Sequence, residues 1–391
     1  MPLNRTNVLL IACLLATNHG IVASENAKSP ASTQPSKRTY PIATCNEWKS
    51  KYGKEGKCSV ETENTTWEVS YEREGVEKRD KKGKILNLLV VFHPSGNNHH
   101  IHEYWDAWVG PNKAIDTNSW HLLSLGILGD GKPQVGSPIF LTIEEMVASE
   151  IGVIDQLFPK ATFVLGGGSK GGRLAIVLSI NYPKRVEKLF LTGASGYDWT
   201  KNPVYYDDNV LNSKMSDLLS SAEKEGGPYN LWDEIKRNKW WKDVWQDADR
   251  FYGKGYFGNR SRMKDQGWDP KDYPGIEEFR KKVIQNWADY FQNSIDPHWH
   301  LAQMQTINVG IASLKEKDFK KLPKDIFVMF NTEDQIQSDL DTSRFAEALV
   351  KSGKKVHKVV VDNDDRGHVA CCEGEIPREV DIGLRAFLKD N

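Results

Sequence analysis

Ser169 sits in the run Gly167-Gly168-Ser169-Lys170-Gly171, which has the pattern G-x-S-x-G. An apolar stretch, residues 161–165, precedes it, and a helix-forming stretch, residues 173–180, follows it. Strand, sharp turn and helix is the setting in which a serine is lifted out of a sheet with its hydroxyl exposed. Glycines on both sides admit backbone geometry that a Cβ would obstruct. The chemistry this suits is acyl transfer through the serine oxygen. A helix start beside Ser169 offers free N–H groups and a positive dipole end to a developing oxyanion. Stripped of its flanks, the same run is a Gly-rich turn with an idle serine. The strand before it and the helix after it favour the catalytic reading.

A serine hydroxyl is a weak nucleophile at its ordinary pKa. It needs a base within hydrogen-bond reach and an acid that orients the base. On this kind of scaffold the three follow in the order Ser, Asp or Glu, His. The strand candidate 326–330 runs into Asn331-Thr332-Glu333-Asp334-Gln335, and the strand candidate 356–361 runs into a polar loop ending in Gly367-His368. Both sit past the carboxyl ends of strands, where ligands bind in open α/β sheets. The catalytic expectation is therefore Ser169, Asp334 and His368. Glu333 is the alternative to Asp334, and Asp339 and Asp341 are weaker ones. His99, His100 and His102 form a second concentration of chemistry-bearing side chains. No Cys or Asp set stands near them at ligand spacing, so no metal and no cofactor is expected.

These residues need a sheet to position them. Residues 85–92, 161–165, 188–192, 326–330 and 356–361 are apolar runs of the kind buried on both faces of a sheet. Helical patterns at 142–157, 173–180, 343–351 and 379–388 lie between them. The alternation predicts an α/β fold with a doubly wound, mostly parallel sheet. Residues 197–321 break it. They are polar and helix-prone and hold eight tryptophans, from Trp199 to Trp299. They read as a helical lid over the carboxyl edge of the sheet. Most of these aromatics are expected to fill the insertion's own core, and a few to line a pocket. The expected divisions are a signal peptide at 1–24, a flexible leader at 25–44, core at 45–196, the lid at 197–321 and core again at 322–391.

With 391 residues, 39% of them hydrophobic, the chain can bury a sizeable core. Fifty-two Lys and Arg against 53 Asp and Glu give no electrostatic case for nucleic acid or an anionic membrane. Arg5, an apolar run at 8–16 and the small residues Val22-Ala23-Ser24 read as a cleaved secretory signal, which predicts a secreted or periplasmic protein. The run is too short to span a bilayer, and no other segment qualifies. Leu10-Ile11-Ala12-Cys13 looks like a lipidation site, but too little apolar chain precedes Cys13. Cys45, Cys58, Cys371 and Cys372 would remain after cleavage, an even number in an exported chain. Cys45 with Cys58 and Cys371 with Cys372 is one pairing, and cross-pairing between the two ends is the other. Asn64 and Asn259 begin N-glycosylation sequons.

Several segments in order resemble the homoserine O-acetyltransferase family of α/β-hydrolase-fold proteins. His93-Pro94-Ser95-Gly96 resembles the family's oxyanion loop. Trp108 through Thr117 is similar to its "GPGKALDT" segment, and Thr142-Ile143-Glu144-Glu145-Met146-Val147 to its "TIRDMV" helix. Gly126 through Gly131 with Gly136-Ser137-Pro138, Gly167 through Gly172, Ile295 through Trp299, and Gly367-His368 complete the series. The resemblance spans residues 85–390. It implies an acyl-serine mechanism with Ser169 as nucleophile, His368 as base and acid, and Asp334 as orienting carboxylate. It also implies an oxyanion hole made by the backbone N–H groups of Ser95 and Lys170. Lys170 stands where the family has Met. The lid lacks the family's later aspartates, and Arg250, Arg260 and Arg262 are the candidates for its substrate arginine. Lys170 either places charge beside the nucleophile or snorkels to solvent. The favoured function is a secreted serine acyl hydrolase whose partner is a small acyl ester. An O-acyltransferase, and a non-catalytic binding protein on the same scaffold, are the alternatives.

Overall fold

The computed structural model describes residues 42–61, 66–128, 142–196, 256, 275–294, 303, 306–307, 310–311, 313–337, 339–371 and 374–389. In chain order the strands are β1 (Ile42–Lys49), β2 (Lys54–Glu61), β3 (Thr66–Gly75), β4 (Leu88–Phe92), β5 (Val109–Gly110), β6 (Ile115–Asp116), β7 (His121–Leu125), β8 (Phe163–Gly168), β9 (Val186–Thr192), β10 (Asp325–Asn331) and β11 (Lys355–Val361). The α-helices of these residues are α1 (Ile143–Leu157), α2 (Ser169–Asn181), α3 (Ile276–Ser294), α4 (Asp339–Lys351) and α5 (Arg378–Lys389).

Among the described residues, nine strands form one sheet in the order β1-β2-β3-β7-β4-β8-β9-β10-β11. The pairings from β7 to β11 are parallel, and those among β1, β2, β3 and β7 are antiparallel. This is the α/β-hydrolase arrangement, with a mostly parallel sheet between helices. The apolar runs explain its centre. Every residue of β4 and β8 is buried, as expected of strands covered on both faces. One face packs Val90, Leu123, Leu165 and Leu189 against α1 and α2 through Ile154, Leu174 and Leu178. The other packs Leu89, Val164 and Phe327 against Trp105, Trp108 and α5. Helix α1 starts at a capping box: Thr142 Oγ1 accepts from Glu145 N at 3.1 Å and Glu145 Oε2 accepts from Thr142 N at 2.8 Å.

The structure departs from the sequence reading at three strands. Residues 85–92 are not one strand: Ile85 makes an isolated antiparallel bridge with Arg79, and Leu86 is exposed. Asn87 interrupts the run, its amide donating to Val76 O at 2.8 Å and Ser119 O at 2.7 Å. Strand β11 is half-exposed rather than buried, because it is the last strand of the sheet. Strand β1 begins at Ile42, inside the segment read as leader. Cys45 and Cys58 face each other across the β1–β2 pairing and form a disulfide.

The signal peptide, Cys13, Cys372, both sequon asparagines and most of the expected lid, residues 197–321, lie outside the described residues. Within that span, α3 is helical, and Gln303 and Ile307 are buried. Among the described residues, no helix is long and apolar enough to cross a membrane.

Candidate active site

The turn between β8 and α2 places Ser169 at the carboxyl edge of the central sheet. Its φ is +48°, a left-handed conformation that a non-glycine residue adopts at a cost of about 1–3 kcal/mol. That conformation folds the helix back sharply over the strand. A Cβ built on Gly171 would lie 2.2 Å from the Phe92 carbonyl oxygen, and one on Gly167 would lie 2.6 Å from the Gly171 carbonyl carbon. Only glycine fits at these two positions, because helix, elbow and β4 touch through their backbones.

His368 stands on a 3-10 turn, Gly367–Cys371, that follows β11. Its Nε2 is 2.8 Å from Ser169 Oγ, and its Nδ1 is 2.7 Å from Asp334 Oδ2. Asp334 follows β10, as the loop position after Ile326–Phe330 led one to expect. Its second oxygen, Oδ1, accepts from the backbone N–H groups of Ile336 and Gln337, both at 2.7 Å. Of the carboxylates weighed from sequence, Asp334 is the one that meets His368. Glu333 is half-buried beside it, and Asp339 opens α4.

Asp334 and His368 are both buried. Burial opposes a charge on the imidazole. Charge interactions with Asp334 and Cys371, together with the Asp334 hydrogen bond, outweigh it and raise the His368 pKa to about 9. With its proton on Nδ1 toward Asp334, the neutral ring presents an Nε2 lone pair to the serine hydroxyl.

Several residues that sequence reading passed over hold this turn in place. Asn331 donates through Nδ2 to Gly367 O at 2.9 Å and to Asp364 O at 2.8 Å. Thr192 Oγ1 and Trp105 Nε1 both donate to Cys371 O, at 2.9 Å and 3.2 Å. Arg366 pairs with Asp364 and donates to Glu375 O, clasping the loop from outside. Gly193, with φ +54°, directly follows β9. A Cβ there would lie 2.5 Å from Cys371 Sγ and 3.4 Å from His368 Cε1. The one signal for this group in sequence is the polar punctuation at strand ends: Thr192-Gly193 after β9 and Asn331 closing β10.

On the other side of Ser169 lies the loop after β4. Pro94 and Gly96 are buried, Ser95 is half-buried between them, and Gly96 has φ +83°. His93 is buried, its Nδ1 2.9 Å from Pro94 O. The Lys170 side chain does not snorkel. It is 2% exposed and donates from Nζ to Gln303 Oε1 at 2.8 Å. Gln303 in turn donates from Nε2 to Ile127 O and Leu128 O, at 3.3 Å and 3.1 Å. Lys170 thereby ties the start of α2 to a residue of the expected lid. Arg250, Arg260 and Arg262 lie outside the described residues.

No family model matches the chain. It is 26% identical over 226 residues to a homoserine O-acetyltransferase from Methanosalsum zhilinae, covering 47% of this chain and 44% of that protein. It is 23% identical over 338 residues to one from Sulfurimonas autotrophica, covering 78% of this chain and 88% of the relative. The chain thus spans about half the length of the first of these relatives and most of the second. Among solved structures, an acetylester hydrolase from Corynebacterium glutamicum superposes with a TM-score of 0.66 at 14% identity. That match covers 90% of this chain and 97% of the other, a likeness of fold.

Proposed function

We propose that this chain, a relative of the homoserine O-acetyltransferases on the α/β-hydrolase fold, is a secreted serine-dependent acyl hydrolase. The observation that carries the reading is the pair of contacts from His368, 2.8 Å to Ser169 Oγ and 2.7 Å to Asp334. Ser169 Oγ attacks the acyl carbon while His368 Nε2 takes its proton. Asp334 holds the Nδ1 proton and stabilises the imidazolium. The backbone N–H groups of Ser95 and Lys170 receive the oxyanion. His368 then gives its proton to the leaving alkoxide, which departs as an alcohol. Water attacks the acyl-serine as His368 takes its proton, and His368 returns that proton to Ser169 Oγ as the acyl–oxygen bond breaks and the carboxylic acid leaves.

Water as the acceptor fits three features. The signal-like N-terminus and the Cys45–Cys58 disulfide suit an exported protein. The positions of the family's lid aspartates are not matched. Lys170 is buried and donates from Nζ to Gln303 Oε1. A second reading, O-acyl transfer, is favoured by the activity named for the relatives. Transfer requires the acyl-serine to be kept dry until the acceptor hydroxyl arrives.

The test uses the secreted form with short acyl esters, then with acetyl-CoA and homoserine together. Ester hydrolysis is expected to exceed O-acetylhomoserine formation, and Ser169→Ala to abolish it, a loss of about 10⁶ for such a nucleophile. Faster O-acetylhomoserine formation would establish the transferase reading. Undiminished turnover by Ser169→Ala would refute both.

A further inference from the structure

The antiparallel β2–β3 pair, next to the edge strand β1, brings carboxylates to a histidine pair that sequence spacing left without them. Glu55 stands on β2 and Glu72 opposite it on β3. His99 and His100 lie in the segment that continues from the Ser95 loop. One ligand atom from each of Glu55, His99 and His100 lies within 4.8 Å of the others. His99 Nε2 is 3.2 Å from Glu55 Oε1, and His100 Nε2 is 3.8 Å from the same oxygen. Zinc ligands bound at about 2.0–2.2 Å in a tetrahedron stand roughly 3.3 Å apart, so only small side-chain adjustments separate this cluster from a coordination sphere.

A second observation points the same way. Glu72 is 4% exposed, and Ser50 Oγ donates to its Oε1 at 3.1 Å. Its other oxygen, Oε2, is buried and has no hydrogen-bond partner among the described residues. A buried carboxylate oxygen left without a donor is costly. Oε2 faces His100 Nδ1 at 3.9 Å. That is the nitrogen that carries the proton when Nε2 binds a metal. Metal-bound histidines usually donate this proton to a carboxylate, which fixes their tautomer.

We propose that Glu55 Oε1, His99 Nε2 and His100 Nε2 bind one divalent cation of the zinc type, with Glu72 orienting His100. Two imidazoles and a carboxylate suit zinc rather than the hard cations magnesium and calcium. Three protein ligands leave a fourth position for water. Glu55 and both histidines keep some solvent exposure, so an ion can enter. Asn98 Oδ1 already accepts from His100 N at 2.7 Å, shaping the loop around the pair. Metal here would join the β2–β3 hairpin to the segment that follows Ser95. The proposal does not depend on the acyl chemistry.

Zn²⁺ is the probe, titrated into chelator-treated full-length protein by competition with a chromophoric chelator. One equivalent is expected to bind and to raise the melting temperature. Glu72→Gln is expected to weaken binding about 10- to 100-fold, the usual effect of losing such an orienting partner. His99→Ala combined with His100→Ala should remove the bound equivalent. Diethyl pyrocarbonate labelling of the wild type covers the case of a variant that fails to fold: Zn²⁺ should protect the peptide carrying both histidines. No saturable binding, unchanged affinity in the double variant, or equal labelling with and without Zn²⁺ would each overturn the site.

Discussion

Replacing Asp334 by Asn separates charge and tautomer from shape. The two oxygens of Asp334 have different partners. Oδ1 accepts from two backbone N–H groups, those of Ile336 and Gln337, at 2.7 Å each, and Oδ2 meets His368 Nδ1. An amide has one oxygen, and the two backbone donors fix its place at the Oδ1 position. The NH₂ group then faces His368 and requires Nδ1 to accept. The ring's proton moves to Nε2, where it points at Ser169 Oγ, 2.8 Å away. An Nε2 that carries a proton takes none from the serine. The imidazolium also loses its counter-charge in a buried site. A loss of about 10⁴ in kcat follows, or about 5.5 kcal/mol of transition-state stabilisation. The assay is kcat for a short acyl ester, with near-ultraviolet circular dichroism to show that the fold persists. Glu333→Gln is the control, expected within a few-fold of wild type. An Asp334→Asn enzyme within tenfold of wild type would refute the assignment of Asp334 and the tautomer argument with it.

The raised His368 pKa predicts opposite trends in activity and stability over one pH window. In the proposed mechanism the base works only when neutral, so kcat/KM should climb as pH rises toward about 9, and full activity already at pH 7 would contradict this. A histidine whose folded pKa is raised stabilises the fold below its unfolded value, near 6.5, and that contribution is lost as pH rises through about 9. The melting temperature should accordingly fall between pH 7 and 9.5. Gly171→Ala pushes a Cβ against the Phe92 backbone and should cost about 3 kcal/mol, the upper end for overpacking, measured by urea unfolding. A loss under 1 kcal/mol would mean that the elbow yields easily. The Cys45–Cys58 bridge closes a short loop, with a sequence separation of 13, and its removal by Cys58→Ser should cost about 3 kcal/mol on the loop-entropy account. Mass spectrometry of unreduced protein, finding both thiols alkylatable, would refute the bridge itself.

The parallel half of the sheet was legible because its strands are written in runs of one kind. Val90, Leu165, Leu189 and Val328 lie in stretches with no polar alternation, and burial on both faces demands that. The antiparallel half was passed over, although β3 carries its own period of two: Trp67, Val69 and Tyr71 point inward between polar neighbours. Lysines and glutamates on the outward face of β2 mask the same pattern there. Strand β7 is apolar but only five residues long, and a short run cannot be told from loop without its neighbours. Asn87 shows the limit from the other side. One amide inside an apolar run claims three backbone partners and ends the strand three residues short of where the pattern begins.

The same contrast explains the two clusters of titratable groups. Ser169, Asp334 and His368 each follow a parallel strand, and parallel strands carry all their carboxyl ends to one edge. Chain order plus strand count therefore brings the three to a common place without any knowledge of side-chain packing. His99 and His100 have no such rule. Their carboxylate neighbours stand 44 and 28 residues earlier, on the antiparallel hairpin, at Glu55 and Glu72. Register decides what they meet: a slip of one residue in the β2–β3 pairing would turn Glu72 to the opposite face and remove it from His100. The disulfide bears on this, since Cys45 and Cys58 lock the β1–β2 register one strand away. Reducing it should loosen the hairpin before it disturbs the parallel core. Zn²⁺ affinity is then expected to fall on reduction with a metal-free, non-chelating phosphine, while Ser169 still reacts with a fluorophosphonate probe. Loss of both together would mean that the two halves of the sheet melt as one.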